Sequence, residues 1–217
     1  MRARIVGDDG GGYAAAIDVL RDDGIVALPT DTVYGIAVRL DAPNGIERLF
    51  HVKQRPPDRA IALLIASAEQ ADEIGLMNVG ARALAAAFWP GGLTVVVEQR
   101  DGTTLPEVLT GGATTIGLRV PDHPAPRALA AGVGPLPTTS ANRSGEPEAR
   151  DAAEIAAQLG DAIELIVDGG VAHGGPASTV VDCTGATARI LRVGAIAVER
   201  VSACLTAAGV EVEPPAA

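Results

Sequence analysis

The sequence predicts an α/β fold, a sheet carrying helices on its faces and built as one domain. Three observations lead there. Short apolar runs of strand length alternate with stretches of helical periodicity along nearly the whole chain. The composition is 47% hydrophobic but only 2% aromatic, so Val, Ile, Leu and Ala must fill the core, as in sheets covered by helices. The 217 residues suit one large domain, with no internal repeat or interdomain linker, and the glycines and prolines are spread as turn punctuation.

After a Gly-rich start, residues 13–22 place Ile17 and Leu20 on one helical face and stop at Gly24, the expected C′ residue. Ile25 to Pro29 (IVALP) reads as a buried strand, followed by the turn-rich TDTVYG and a short strand at 36–38. Residues 44–53 form a helix with Ile46, Leu49 and Phe50 inward, closed by Pro56 and Pro57. Residues 61–65 make the next strand. Ser67 and Gln70 have capping-box spacing for a helix ending near Gly75, and a second helix runs over 79–89 to Pro90 and Gly91. Strands at 93–98 and 115–120 are joined by a long Gly/Thr loop. A short helix at 124–131 leads through Leu136 into the polar stretch TTSANRSG. A helix at 151–159, strands at 163–167, 179–183 and 188–192, and a last helix at 198–208 complete the series. Residues 1–12 and 209–217 read as tails around a domain spanning 13–208.

Charge and cysteine content narrow the function classes. A formal charge of −10 disfavours non-specific nucleic-acid binding, although it leaves room for a small basic pocket. Cys183 and Cys204 lie far from any CxxC or His-rich context, which argues against a zinc ribbon or a secreted disulfide framework. No apolar run follows the basic residues at the start and none approaches membrane-span length, so the expected setting is cytoplasmic. Among 17 basic residues Lys53 is the only lysine, a hint that a compact point charge is needed there, weighed evenly against chance survival.

Phosphate-loop, dinucleotide, nucleophile-elbow and HExxH signatures are absent, and His51, His123 and His173 have no metal-ligand spacing. In FHVKQRPPDR, Lys53 and Arg55 could grip an anion, but spacing alone favours cations at a helix C-terminus. PTDTVYG follows a buried strand, where α/β sheets bind ligands; a strand-ending turn capped by hydroxyls explains it equally well. TTSANRSG offers small residues whose backbone N–H groups could cradle phosphate, or ordinary turn formers. TIGLRVP, STVVD and ILRVG place Arg119, Ser178 and Arg192 beside strand ends, and each alone reads as solvated.

The conjunction is more specific. PTDTVYG, KQRP, FWPGGLT, TIGLRVPDHP, TSANRSGEP, STVVD and ILRVG, in this order from about Gly24 to Ile196, resemble the signature series of the YrdC-type threonylcarbamoyl-AMP synthases, in their single-domain form. The resemblance implies a twisted, mixed sheet around a concave cationic cavity. It implies an enzyme converting ATP, L-threonine and bicarbonate into threonylcarbamoyl-adenylate and pyrophosphate. A separate transferase complex would then carry the threonylcarbamoyl group to tRNA. Mg²⁺ would accompany ATP, with no metal site of the protein's own.

By motif position, Lys53 and Arg55 match catalytic residues. Lys53, Arg55, Arg59, Thr115, Asn142 and Arg192 match ATP-binding positions, while Thr32, Arg119, Ser140 and Ser178 match threonine-binding ones. Two departures leave the amino-acid preference open. Relatives follow the KxRP segment with Asn or Lys and then Pro-Leu, where this chain has Arg59-Ala60-Ile61, and they often carry a histidine near Leu64. The competing functions are an RNA-binding module, a paralogue using another amino acid, and a catalytically idle one. Oligomeric state is not legible in the sequence.

Overall fold

The computed structural model describes residues 2–54, 60–103, 105–172 and 175–213. The elements run β1 (Arg4–Gly7), α1 (Gly10–Arg21), β2 (Val26–Leu28), β3 (Gly35–Ala37), α2 (Gly45–Lys53), β4 (Ala62–Leu64), α3 (Ala68–Ile74) and α4 (Val79–Phe88). They continue with β5 (Leu93–Glu98), α5 (Glu107–Thr110), β6 (Thr115–Arg119), α6 (Pro124–Val133), β7 (Leu136–Ser140) and α7 (Ala152–Leu159). The last are β8 (Leu165–Asp168), β9 (Thr179–Asp182), β10 (Ala188–Arg192), α8 (Val198–Ala207) and β11 (Val212–Glu213). All strands join one mixed sheet in the order β1-β8-β2-β3-β7-β4-β6-β5-β9-β10-β11.

Strand alternation divides the apolar residues between the two faces. Ile25, Ala27, Ile36, Val38, Leu63, Ile65, Val95, Val97, Ile116, Leu118 and Val181 belong to the larger core, together with residues of α2, α3, α4, α7 and α8. On the opposite face Val26, Leu28, Ala37, Leu64, Leu136, Leu165 and Val167 pack with Ala16 and Leu20 of α1 and Ala125, Leu129 and Ala130 of α6. Those two helices lean on β1, β8 and β2 and, through α6, on β4 and β7. Beyond α6 the same face continues across β6, β5, β9 and β10 as an open wall.

Several boundaries differ from the sequence reading for identifiable reasons. The segment read as an N-terminal tail contains β1, which pairs in parallel with Leu165–Asp168. It is an edge strand of RIVG with Ile5 half exposed, so it carries no apolar pattern to recognise. In the segment read as a C-terminal tail, β11 pairs with Ala188 and Arg189. Leu136–Ser140 is a central strand rather than a short run entering a loop, its threonines and serine polar because one face borders the open wall. At the end of α1 the left-handed residue is Asp23 (φ 61), while Gly24 is needed for close approach, since a Cβ there would lie 2.5 Å from Val19 Cγ1. The expected capping box does not form. Gln70 Oε1 accepts from the Ala66 amide at 2.8 Å, one residue before the N-cap, and Ser67 makes no side-chain cap bond.

Leu63 is fully buried in the middle of the sheet, whereas Val79 is exposed at the start of α4. Leu63→Ala is expected to lower the urea-unfolding free energy by about 2–5 kcal/mol, and Val79→Ala by no more than about 0.5 kcal/mol.

Candidate active site

The open wall is the floor of a cavity of about 470 Å³. Register explains which side chains reach it. Leu64 pairs with Arg119, and Thr94 and Arg192 both pair with Val180. Val95 opposite Leu118 places Thr94 beside Arg119. Leu64, Arg119, Thr94, Val180 and Arg192 therefore form one transverse row across five strands, and all five line the cavity. The next row is made shallow by Ala62 and Gly117; a Cβ on Gly117 would stand 3.2 Å from Thr94 Cγ2.

Arg192 reaches the row through a β-bulge. Ile190 pairs with Val181 and Arg192 with Val180, so Leu191 is the extra residue. Strict alternation would put Arg192 on the side of Ile190, in the larger core; the bulge turns it and Leu191 into the cavity. Its Nε donates to the Ser178 carbonyl at 2.9 Å and its Nη2 to Ser178 Oγ at 3.0 Å. Ser178 Oγ lies 2.8 Å from Thr94 Oγ1, which completes a polar chain across β10, β9 and β5. Burial lowers the Arg192 pKa from its ordinary value, opposed by the charge of Glu148 on the cavity rim.

Arg119 is held on three sides. Nε donates to the Gly91 carbonyl at 3.0 Å, Nη1 to Thr32 Oγ1 at 3.0 Å and Nη2 to Asp31 Oδ1 at 2.6 Å. Burial pushes its pKa down, the Asp31 carboxylate pushes it up, and the charge of Arg192 lowers it. A guanidinium starts so high that it stays protonated. The PTDTVYG turn divides its work. Thr30 Oγ1 accepts from the Thr32 amide and donates to the Val33 carbonyl, shaping the turn, so Thr32 can present its hydroxyl to Arg119. Tyr34 is buried and donates to the Gly170 carbonyl at 2.7 Å, tying the turn to the end of β8.

Of the ten residues matched to site positions, Thr32, Thr115, Arg119, Ser140, Ser178 and Arg192 line the cavity together. Arg55 and Arg59 lie outside the described residues. Lys53 and Asn142 are buried and do not line the cavity. Lys53 Nζ contacts the Ser140 carbonyl at 2.5 Å, Ser140 Oγ at 3.1 Å, the Asn142 carbonyl at 2.8 Å and Asn142 Oδ1 at 3.0 Å. The Lys53 carbonyl in turn accepts from the Ser144 amide. The lone lysine thus gathers the polar loop after β7 around one point charge, a geometry that a planar guanidinium fork does not fit. Thr94 and Leu64 were not singled out as site residues. The visible signals are Thr94 at the end of the FWPGGLT motif and the histidine that relatives often carry near Leu64.

Comparison with known proteins agrees with this geometry. The family model Sua5_yciO_yrdC, described as "Telomere recombination", matches residues 18–194. The chain belongs to the Sua5/YciO/YrdC family. A Mycobacterium tuberculosis H37Rv relative is 37% identical to it over 195 residues, covering 89% of each chain. The threonylcarbamoyl-AMP synthase of Bacillus subtilis is 35% identical over 194 residues, covering 88% of this chain but 56% of that protein. Among solved structures of the family, Pyrococcus abyssi Sua5 complexed with L-threonine superposes with a TM-score of 0.87 at 31% identity, covering 98% of this chain and 62% of that one. This Sua5/YciO/YrdC domain therefore keeps the family fold over nearly its whole length. Among the described residues no helix is long and apolar enough to cross a membrane.

Lys53→Met would leave the Ser140 and Asn142 oxygens without their shared donor. Unfolding free energy is expected to fall by about 1–3 kcal/mol, with faster hydrogen exchange over residues 140–144. Lys53→Arg is expected to rescue neither quantity.

Proposed function

We propose that this chain is an L-threonylcarbamoyladenylate synthase. The observation that carries the reading is the transverse row that puts two arginines and the Thr94–Ser178 hydroxyl pair on one cavity wall, with Arg119 already locked to Thr32. The names of the family relatives, and the L-threonine held by the Pyrococcus abyssi protein, support it.

In this reading the amino-acid carboxylate takes the two N–H groups of Arg119 that protein partners leave over, with the Thr32, Ser140 and Ser178 hydroxyls nearby. The nucleotide phosphates lie toward Thr115 and Arg192, with Arg55 and Arg59 assigned to the same role by motif. Mg²⁺ arrives on the phosphates as part of the substrate. The threonine amine adds to the carbon of CO₂ derived from bicarbonate and loses a proton, giving an N-carboxylate. One oxygen of that carboxylate attacks the α-phosphorus of ATP; the bond to the bridging oxygen breaks and pyrophosphate leaves with the electron pair. Such a displacement depends on alignment and charge neutralisation more than on a base. That requirement suits a wall of hydroxyls and guanidinium groups. Lys53 and Asn142 act by holding the loop that presents Ser140, so Lys53 is a positioning residue. The product would pass to a separate transferase that acts on tRNA.

The amino-acid preference follows from Leu64, which stands next to Arg119 in the row. An apolar neighbour beside a carboxylate clamp favours a side chain bearing a methyl group. Pyrophosphate release with ATP, bicarbonate and a panel of amino acids is expected to require threonine and to exceed the serine rate by roughly tenfold or more, the usual yield of one buried methyl. No release with any amino acid would remove the reading. Arg119→Ala is expected to weaken threonine binding by roughly 10- to 100-fold while leaving ATP affinity nearly unchanged, measured by calorimetric titration. Arg55→Ala is expected to abolish most pyrophosphate release.

A further inference from the structure

The two cavity arginines are not equivalent. Arg192 is hydrogen-bonded to the carbonyl and hydroxyl of Ser178, both neutral; among the described residues it makes no ion pair and feels a carboxylate only through the charge of Glu148 on the cavity rim. Arg119 carries a carboxylate of its own: Asp31 Oδ1 lies 2.6 Å from Nη2. Asp31 is not among the residues lining the cavity, although its neighbours Thr30 and Thr32 are. Its side chain, turned toward the guanidinium, is only 17% exposed, although the residue itself lies at the surface. The same Oδ1 accepts from the Asp122 amide at 3.1 Å, which fastens Asp31 to the chain just past β6. The contact is thus braced at both ends and one unit charge of Arg119 is cancelled before any ligand arrives.

We infer that Asp31 is the specificity-determining charge of the amino-acid end of the cavity. By neutralising Arg119 it lets that end take a zwitterion through hydrogen bonds while denying a polyanion a second full positive charge. Arg119 and Arg192 stand in the same transverse row, and the charge of Arg192 disfavours that of Arg119. Without Asp31 the pair would form a two-cation site spanning the wall, and phosphate groups would settle where the amino-acid carboxylate belongs. With Asp31 the attraction for polyanions is concentrated at Arg192, so the two substrates are sorted by charge as well as by shape. This rests on the proposed function for the identity of the zwitterion, but the anion selectivity itself does not.

The test uses inorganic phosphate as the probe on the full chain. Asp31→Asn keeps an oxygen acceptor for Arg119 Nη2 and for the Asp122 amide but removes the charge. Asp31→Ser removes the charge with a smaller side chain, should the amide variant fold poorly. In the wild type, phosphate is expected to compete with ATP and not with the amino acid. In either variant phosphate affinity by calorimetry is expected to rise about tenfold, the effect of one unit charge a few ångströms away in a partly wet site, and phosphate is expected to compete with threonine. Adding Arg119→Met to the Asp31→Asn variant is expected to abolish the gain. Unchanged phosphate affinity in a folded charge-neutral variant, or a gain that survives loss of Arg119, overturns the inference. If no amino acid binds the wild type, the functional reading fails while the phosphate titrations still answer for Asp31.

Discussion

The uneven covering of the sheet is the constraint on which the other features depend. One face is packed by residues of α2, α3, α4, α5, α7 and α8, and the apolar residues on that side make a continuous core. Among the described residues the other face has only α1 and α6, which shelter one end. A bare sheet face lined with leucine and valine would invite collapse or association. Here the uncovered part intersperses Thr94, Thr115, Arg119, Thr138 and Ser178 among Leu64, Val96 and Val180, with Ala62 and Gly117 keeping the floor low. Alternation therefore does two jobs in the same five-residue strands. In β6, Ile116 and Leu118 anchor the core while Thr115 and Arg119 face the cavity.

That arrangement makes the site rigid at modest expense. The two cavity arginines find partners within neighbouring strands or turns, which lowers the penalty for burying them. Arg119 is held by Gly91, Thr32 and Asp31, and Arg192 by Ser178. Lys53 extends the same logic to the loop after β7, where one ammonium group gathers oxygens from Ser140 and Asn142.

The sequence was most legible where periodicity and site chemistry agreed. The buried strands at Val26–Leu28 and Leu93–Glu98 and the helices α2, α4 and α7 were expected within a residue or two, because burial imposes their apolar pattern. Edge strands β1 and β11 were missed because backbone pairing alone holds them and no side-chain pattern is required. β7 was read as entering a loop because its Pro, Thr and Ser residues obey the cavity, not a core. Lys53 stands out in the sequence for its rarity, but the Ser140 and Asn142 oxygens that its ammonium group meets are visible only in three-dimensional contacts.

The order and identity of the motifs determined the family, the α/β class and six of the residues that share the cavity, because those depend on residue chemistry and local periodicity. Tertiary structure alone decided how they meet. The strand order placing β6, β5, β9 and β10 side by side brings Arg119, Thr94 and Arg192 into one row. A single extra residue at Leu191 chooses the face to which Arg192 turns, and pairing across 88 residues of chain gives Arg119 its counter-charge in Asp31. Register and long-range charge pairing are properties of distances between segments, and those distances do not exist until the chain has folded.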